Sequence, residues 1–310
     1  MRLFITGISG LLGLNLALEG REYFEVGGAF FGHPVSMAGV EPVQLDITSL
    51  EAAEEALARF APDVIVHTAA LTNVDQCETD APRAHLLNVT AAHNVAVIAA
   101  NLGARLVHVS TDQLFDGTKP WTTETDTPAP TNNYGRTKWL AEQAVLEACP
   151  NALIVRTNFY GWGTFVRKSF SDWIIENLES RTELTMFSDV YFTPILINQL
   201  VDTIIKLIGR QASGLFHVAG SERVTKHDFA LRLAKAFGYP SDQLRPISVD
   251  GFSFKARRPK EMSLNSGKAE GFLQIRMPTV VEGLERLRRL RDSGWPQELR
   301  NAIQDASPSR

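Results

Sequence analysis

The 310-residue sequence is short of cysteine, of long apolar runs and of surplus charge. Its cysteines are Cys77 and Cys149, too few for a disulfide framework, which excludes the small disulfide-stapled secreted domains. It contains no run of about 18 consecutive apolar residues, so no membrane partner is expected. With 31 basic and 35 acidic residues the net charge is −4. A nucleic-acid polymer is not an expected partner, because no basic excess is available to neutralise its phosphates.

The composition is that of a folded, soluble protein. Hydrophobic residues make up 44% and charged residues 21%, close to the globular average. At roughly 150 residues per domain the length allows one large α/β unit or two domains. The first residues, MRLFITGISG, enter a strand-like run directly and lack the apolar core and cleavage site of a signal peptide. We therefore predict a cytoplasmic protein.

Short apolar runs alternate with helical stretches through the first half of the chain. Two of the runs, VIVH and LVHV, are nearly continuous and β-branched, as in strands covered on both faces. The predicted strands are Leu3–Thr6, Val26–Phe31, Val64–Thr68, Leu106–Ser110 and Leu153–Thr157. The predicted helices are Leu11–Leu18, Leu50–Phe60 (with Thr48 and Glu51 as a capping box), Pro82–Leu102 and Tyr134–Ala148. This alternation predicts an α/β fold with a Rossmann-type, doubly wound parallel sheet.

The regular alternation of strands and helices ends after about residue 158. The predicted helices here are Phe170–Leu178, Pro194–Ile208, Lys226–Phe237 and Val280–Leu290, with starts at Thr225 and Thr279 and with Pro194 in a first turn. A short strand is expected at Leu215–Ala219. We predict a Rossmann domain over 1–158 and a smaller α/β substrate-binding lobe over most of 159–300, with about 194–220 returning to the core. Residues 301–310 are expected to form a flexible tail.

A glycine-rich turn follows the first predicted strand. In RLFITGISGLLG the glycines are Gly7, Gly10 and Gly13, a GxxGxxG variant of the dinucleotide fingerprint. Gly7 permits a tight turn, Gly10 lets backbone approach a pyrophosphate, and Gly13 lets the helix pack closely on the strand. The helix N-terminus then offers free N–H groups to the phosphates. The 1–158 domain is therefore predicted to bind NAD(P).

The second predicted strand ends at AFFGHP, without the acidic residue that would bind the ribose 2′-OH of NAD. His33 in this segment tolerates a 2′-phosphate, so NADPH is the predicted cofactor, with NADH as the alternative. Asp46 is a candidate hydrogen-bond partner of the adenine amino group, or simply a charge at a helix start.

Tyr134 and Lys138 are four residues apart, a spacing that puts both on one face of a helix. An ammonium beside the phenol is expected to lower the pKa of Tyr134, and the same lysine can hold the ribose hydroxyls of a nicotinamide nucleotide. The preceding strand ends in Ser110 and Thr111, at the edge where open α/β sheets bind ligands. One hydroxyl would polarise a substrate carbonyl, and the other would cap the following turn.

These motifs, in this order, resemble the extended short-chain dehydrogenase/reductase family, and within it the dTDP-4-dehydrorhamnose reductase group. The specific motifs behind this likeness are GxxGxxG, HTAALTNVDQCE, STDQLFDG and YGRTK. Less specific matches are RTNFYGWG, DVYFTP, GLFHVAGSERVTKHDFA and RRPKEMSLN.

The resemblance implies roles for individual residues. The catalytic triad would be Thr111, Tyr134 and Lys138. The expected cofactor-binding residues are Gly7, Ile8, Ser9, Gly10, Leu11, Leu12, Gly13, His33, Asp46, Ile47, Ala69, Ala70, Leu71, Ser110, Tyr134, Lys138 and Asn158. The expected substrate contacts are Thr111, Asp112, Tyr134, Trp162, Tyr191, Arg257 and Arg258. Arg257 and Arg258 suit a diphosphate, and Trp162 and Tyr191 suit a sugar or base ring, although a solvated loop and aromatic core are the alternatives.

The reaction implied is reduction of the 4-keto group of a nucleotide-linked, most simply dTDP-linked, 6-deoxysugar in polysaccharide synthesis. Related 4,6-dehydratases read Thr-Asp-Glu where this sequence has Thr111, Asp112 and Gln113, and a glutamine cannot exchange a proton for dehydration. Epimerisation stays open, since the same triad serves it. A second hypothesis is an NADP-binding regulatory protein, because the β subunit of methionine adenosyltransferase resembles the same group.

Metal binding is not expected. Some reductases of this group join two subunits through a metal held by carboxylates, but Asn15 stands where the first-helix acid would align. A homodimer, if formed, would use apolar helix faces. His67 and His108, inside apolar strands, are interpreted as core residues whose polar atoms are satisfied.

Overall fold

A computed structural model describes residues 1–303 of the chain. Within that range, seven parallel strands form one sheet in the order β11-β6-β5-β4-β1-β2-β3. These strands are β1 (Arg2–Thr6), β2 (Glu25–Phe30), β3 (Val40–Gln44), β4 (Val64–His67), β5 (Arg105–Thr111), β6 (Leu153–Thr157) and β11 (Gly214–His217). The order reverses between β1 and β4, which creates a crevice at the carboxyl edge of the sheet.

Helices cover both faces of this sheet. They are α1 (Leu11–Gly20), α2 (Leu50–Phe60), α3 (Val74–Thr79), α4 (Ala81–His85), α5 (Ala91–Leu102), α6 (Asn133–Ala148), α7 (Phe170–Glu179), α8 (Ile197–Gly209), α9 (Lys226–Phe237), α10 (Gly267–Leu273), α11 (Val280–Asp292) and α12 (Trp295–Asn301). Neighbouring strand residues pack into two different cores, Ile5 and Val66 on one face, Phe4 and Ile65 on the other. The predicted α/β, Rossmann-type doubly wound sheet is therefore confirmed. Along residues 1–303, none of the helices has the length and apolarity to cross a bilayer.

A second group of small sheets lies over the carboxyl edge. Strand β7 (Phe159–Tyr160) pairs with β10 (Ile195–Leu196), and β8 (Leu184–Phe187) pairs with β13 (Leu244–Ile247). Strand β9 (Tyr191–Phe192) lies between β12 (Val224–Thr225) and β14 (Glu261–Met262). The rings of Tyr160 in β7 and Phe192 in β9 pack with those of Phe170 in α7 and Phe229 in α9.

Several predicted element ends differ from the structure. Ser49, not Thr48, caps α2 by accepting from the Ala52 amide, because the Thr48 hydroxyl is bound to Asp46. Pro194 precedes β10, and the helix begins at Ile197. The predicted Pro82–Leu102 helix is interrupted by a π-helical segment at Leu86–Thr90.

The C-terminal expectation also differs from the structure. Asn301 ends α12, and Ile303 forms a β-bridge with Val35, so these residues are folded rather than part of a tail. The rest of the expected tail, 304–310, lies outside the described residues.

Candidate active site

The glycine turn between β1 and α1 is shaped for close approach by a phosphate. Gly7 has φ +71°, and a Cβ there would lie 2.8 Å from the Ala69 Cα. A Cβ on Gly13 would collide with the Gly7 carbonyl, so neither position admits a side chain. Gly10 is the N-cap of α1 and brings no side chain, which leaves the first helical amides to a ligand. This cradle fits the pyrophosphate of a dinucleotide.

The other predicted cofactor residues divide by exposure. Ile8, Leu12 and Ile47 are buried, so only their backbones face a ligand. Ser9, Leu11, Ala69, Ala70 and Leu71 are partly exposed around the turn and after β4. His33 is exposed in the loop after β2. Asp46 accepts from the Thr48 amide at 2.9 Å and hydroxyl at 2.7 Å through one oxygen, which leaves its other oxygen toward solvent.

Tyr134 and Lys138 lie in the first two turns of α6. The helix starts there because the Asn132 side chain accepts from the Gly135 amide at 2.8 Å. Tyr134 is 9% exposed and Lys138 3% exposed. Burial raises the pKa of Tyr134 to about 12, partly offset by the Thr111 hydroxyl, and the lowering of this pKa by Lys138 stays a prediction. Burial also lowers the pKa of Lys138 to about 8, and its ammonium donates to the Val109 carbonyl at 2.8 Å.

The end of β5 presents a cluster of polar groups. The Thr111 hydroxyl accepts from the Gln113 amide and donates to Asp112, both at 3.2 Å. Asp112 also accepts from the side-chain nitrogen of Asn158 at 2.5 Å. Burial raises the pKa of the Asp112 carboxyl to about 6. The buried Ser110 hydroxyl has no hydrogen-bond partner within residues 1–303. Thr111 thus caps the turn and also lies beside Tyr134.

Lys226, the first residue of α9, reaches this cluster from the second lobe. Its ammonium lies 3.3 Å from the centroid of the Phe192 ring, and its charge counters the raised pKa of Asp112. Within the described range it forms no ion pair. Lys226 carries no signal in the sequence, because a lysine after a helix cap is common. The aromatic partner at Phe192 is distant in sequence and gave no local signal.

The site also includes Arg167, which the sequence analysis did not single out. Its guanidinium donates to the Thr72 hydroxyl and lines a crevice with Gly10, and its charge offsets a small part of the rise in the pKa of Tyr134.

Two predicted substrate contacts lie elsewhere. Trp162 is 6% exposed, and its indole donates to the Leu287 carbonyl at 2.8 Å, which favours the aromatic-core alternative over a substrate contact. Tyr191 neighbours Phe192 in β9, so its side chain lies on the opposite face of the strand from the Lys226 ammonium. The Arg223 guanidinium covers one face of the Tyr191 ring at 3.5 Å.

The two predicted arginines line a cavity beside the start of α6. This cavity of about 330 Å³ lies between the Asp116–Thr118 loop and residues 249–260. Arg257 is exposed there, and its carbonyl accepts from Asn132 at 3.0 Å. Arg258 forms an ion pair with Asp75 at 2.7 Å, so the guanidinium of Arg257 is the more available of the two to a ligand.

Comparisons with known proteins show which family the chain resembles. A family model described as RmlD substrate binding domain matches residues 1–290. The probable low-salt glycan biosynthesis reductase Agl14 of Haloferax volcanii is 32% identical over 299 residues, 93% of this chain and 97% of that protein. Methionine adenosyltransferase 2 subunit beta of Rattus norvegicus is 34% identical over 290 residues, 87% of this chain and 81% of that protein.

A solved structure is also similar over nearly the whole chain. The dTDP-4-dehydrorhamnose reductase from Bacillus anthracis, in complex with NADP, has a TM-score of 0.82 at 32% identity, covering 93% of this chain and 98% of that one. The resemblance predicted from the motifs is confirmed. The chain belongs to the RmlD substrate-binding domain family of extended short-chain dehydrogenase/reductase-like proteins.

Proposed function

We propose that this protein is an NADPH-dependent reductase of a nucleotide-linked 4-keto-6-deoxysugar, similar to dTDP-4-dehydrorhamnose reductase. The observation that carries the proposal is the meeting of a glycine cradle, the Tyr134 phenol and the Thr111 hydroxyl at one edge of the sheet. The similar structure from Bacillus anthracis, solved with NADP, supports the choice of cofactor.

The residues of the chain fit the roles that the reduction requires. A bound nicotinamide supplies the hydride that reaches the 4-keto carbon. Thr111 orients the carbonyl oxygen by exchanging its weak bond to Asp112 for one to the substrate. Tyr134 then gives its proton to that oxygen, and solvent returns a proton to the phenolate. The raised pKa keeps Tyr134 protonated at neutral pH, as a donor must be.

The second lobe supplies the contacts that we assign to the nucleotide sugar. Lys226 of this lobe and Asn158, directly after β6, border the sugar end beside Asp112. We assign the diphosphate to the cavity that includes Arg257, whose carbonyl accepts from Asn132 at the start of α6. Gln113, in place of a carboxylic acid, supports reduction rather than dehydration.

The test is NADPH oxidation with dTDP-4-dehydro-6-deoxy-L-mannose as substrate. We expect Tyr134→Phe to abolish turnover while NADPH affinity stays within about threefold of the wild type, because only the proton donor is removed. Tyr23→Phe is the matched control, since Tyr23 is 68% exposed and distant from the site. Normal turnover by the Tyr134 variant would refute the mechanism.

A regulatory role is the second candidate, because the likeness to methionine adenosyltransferase 2 subunit beta is as strong in identity as the likeness to the reductases. Tight NADP binding without turnover of dTDP-, UDP-, GDP- or CDP-linked keto-sugars would favour it. Turnover of any of these substrates would favour the enzyme.

A further inference from the structure

Two buried histidines lie directly behind the catalytic lysine. His67 on β4 and His108 on β5 are paired across the sheet, and their rings stack with centroids 5.3 Å apart. They are 1% and 0% exposed. The sequence analysis interpreted both as satisfied core residues, but His67 Nε2 and His108 Nδ1 have no hydrogen-bond partner anywhere in the described chain. Unsatisfied buried nitrogens are rare and point to a role other than packing.

The contact with Lys138 determines where the proton of His108 lies. The ammonium of Lys138 is 3.3 Å from His108 Nε2 and 2.8 Å from the Val109 carbonyl oxygen. An ammonium only donates, so His108 Nε2 must accept and the ring proton must be on Nδ1. His108 Nδ1 is the nitrogen without a partner. In this tautomer its N–H stays unsatisfied, while Nε2 is free to accept from Lys138.

A neutral acceptor holds the ammonium without cancelling its charge. The titratable groups around Lys138 are Tyr134 and Glu142 on its own helix, and the two histidines on β4 and β5. Glu142 is paired with Arg156 of β6, whose guanidinium donates two hydrogen bonds to the carboxylate, at 2.9 and 2.7 Å. Burial and the Lys138 charge lower the pKa of His67 to about 3 and hold that of His108 well below its usual range.

We propose that His108 is a positioning residue for Lys138, acting as a permanently neutral acceptor that fixes the ammonium against β5, on the face of α6 that Lys138 shares with Tyr134. His67 supports it by stacking, and is itself anchored at 2.7 Å to the Thr6 hydroxyl. The role in turnover rests on the proposed reductase function, whereas the tautomer and the neutrality of His108 do not.

The first test uses the unmodified protein. Nitrogen-15 histidine NMR across about pH 6 to 8 should show His108 neutral, with Nδ1 protonated and Nε2 bare. An Nε2–H tautomer, or protonation of His108 in this range, would overturn the proposal. This measurement needs no turnover, so it stands apart from the outcome for the reductase.

The second test compares two variants of His108. His108→Leu removes the acceptor at similar volume, and His108→Gln keeps an acceptor near the position of Nε2. In His108→Leu we expect kcat to fall about tenfold, NADPH Kd to change less than about threefold, and the basic limb of the pH profile to move to lower pH. The limb moves because an ammonium without its acceptor loses its proton more readily.

His108→Gln should restore kcat and the position of the limb. Equal impairment of both variants would mean that His108 only packs, and an unchanged His108→Leu enzyme would equally overturn the proposal.

Discussion

At the scale of single residues, burial moves the pKa values of Tyr134 and Lys138 in opposite directions. The phenol rises to about 12 and the ammonium falls to about 8, because the apolar surroundings disfavour the charged form of each. Tyr134 therefore stays protonated throughout the neutral range, whereas Lys138 loses its charge within the pH range of ordinary assays.

This difference predicts the pH dependence of turnover. The pKa of Lys138 is about 8, so half of its positive charge is lost at that pH, most of it is present well below, and most of it is lost well above. The kcat for keto-sugar reduction should therefore be level near neutrality and fall as the pH passes about 8. The check is a kcat profile from about pH 6 to 10 at saturating NADPH. A profile that stays flat past about pH 9 would contradict the assignment.

A second prediction at this scale concerns Lys226. Lys226→Met keeps the apolar contact with Phe192 but removes the charge near Asp112. We expect the KM for the keto-sugar to rise about tenfold with NADPH affinity unchanged, since the lost contact is with the substrate. The matched control is Lys235→Met, an exposed lysine in the last turn of the same helix, which should behave as the wild type. Equal KM values for the two variants would refute a substrate contact.

At the scale of elements, the cradle depends on how closely α1 approaches the turn that precedes it. Gly13→Ala places a methyl group against the Gly7 carbonyl and 2.8 Å from the Ile8 Cα. Because both are backbone atoms, the turn must open, and we expect a loss of about 1–3 kcal/mol in stability together with weaker NADPH binding. Melting and NADPH titration measure the two effects. Gly20→Ala in the same helix meets nothing closer than 3.5 Å and should lose neither stability nor affinity.

The elements also show what the sequence alone could predict. Strands such as VIVH were recognised because burial on both faces leaves a continuous apolar run, and the glycine turn because its spacing is local. Strand β3, VEPVQ, was missed because an edge strand with a proline and exposed side chains has no such pattern. The core role of Trp162 depends on a carbonyl at Leu287, and no local rule detects a partner 125 residues away.

At the scale of the whole molecule, helices from both ends of the described range meet at Glu19. The Glu19 carboxyl on α1 accepts from Asn198 of α8 at 2.7 Å and lies 3.3 Å from Arg286 of α11. Burial raises the pKa of Glu19 to about 7, above its value of 4.5 in an unfolded chain. The folded state therefore binds this proton more tightly, and its stability falls as the pH rises from about 4.5 to 7.

Glu19→Gln removes this titration. From pH 5 to pH 8, the free energy of unfolding of the wild type should fall by up to about 3 kcal/mol relative to that of the variant. Denaturant unfolding at the two pH values measures the shift. Glu22→Gln, at an exposed glutamate just after the end of the same helix, is the control for loss of a carboxylate at the surface. A constant difference for Glu19→Gln would mean that the carboxyl is ionised at both values.

Asn15 connects α1 to segments that are synthesised much later. Asn15 donates to the Trp162 carbonyl at 3.0 Å and accepts from the Trp295 indole at 2.9 Å, while the Ser36 amide donates to the Ala302 carbonyl at 2.8 Å. On the ribosome, the helix that borders the glycine cradle is translated some 280 residues before its last partner emerges. A nascent chain stalled before Trp295 should thus capture NADPH poorly, and the cofactor becomes a reporter of completed synthesis.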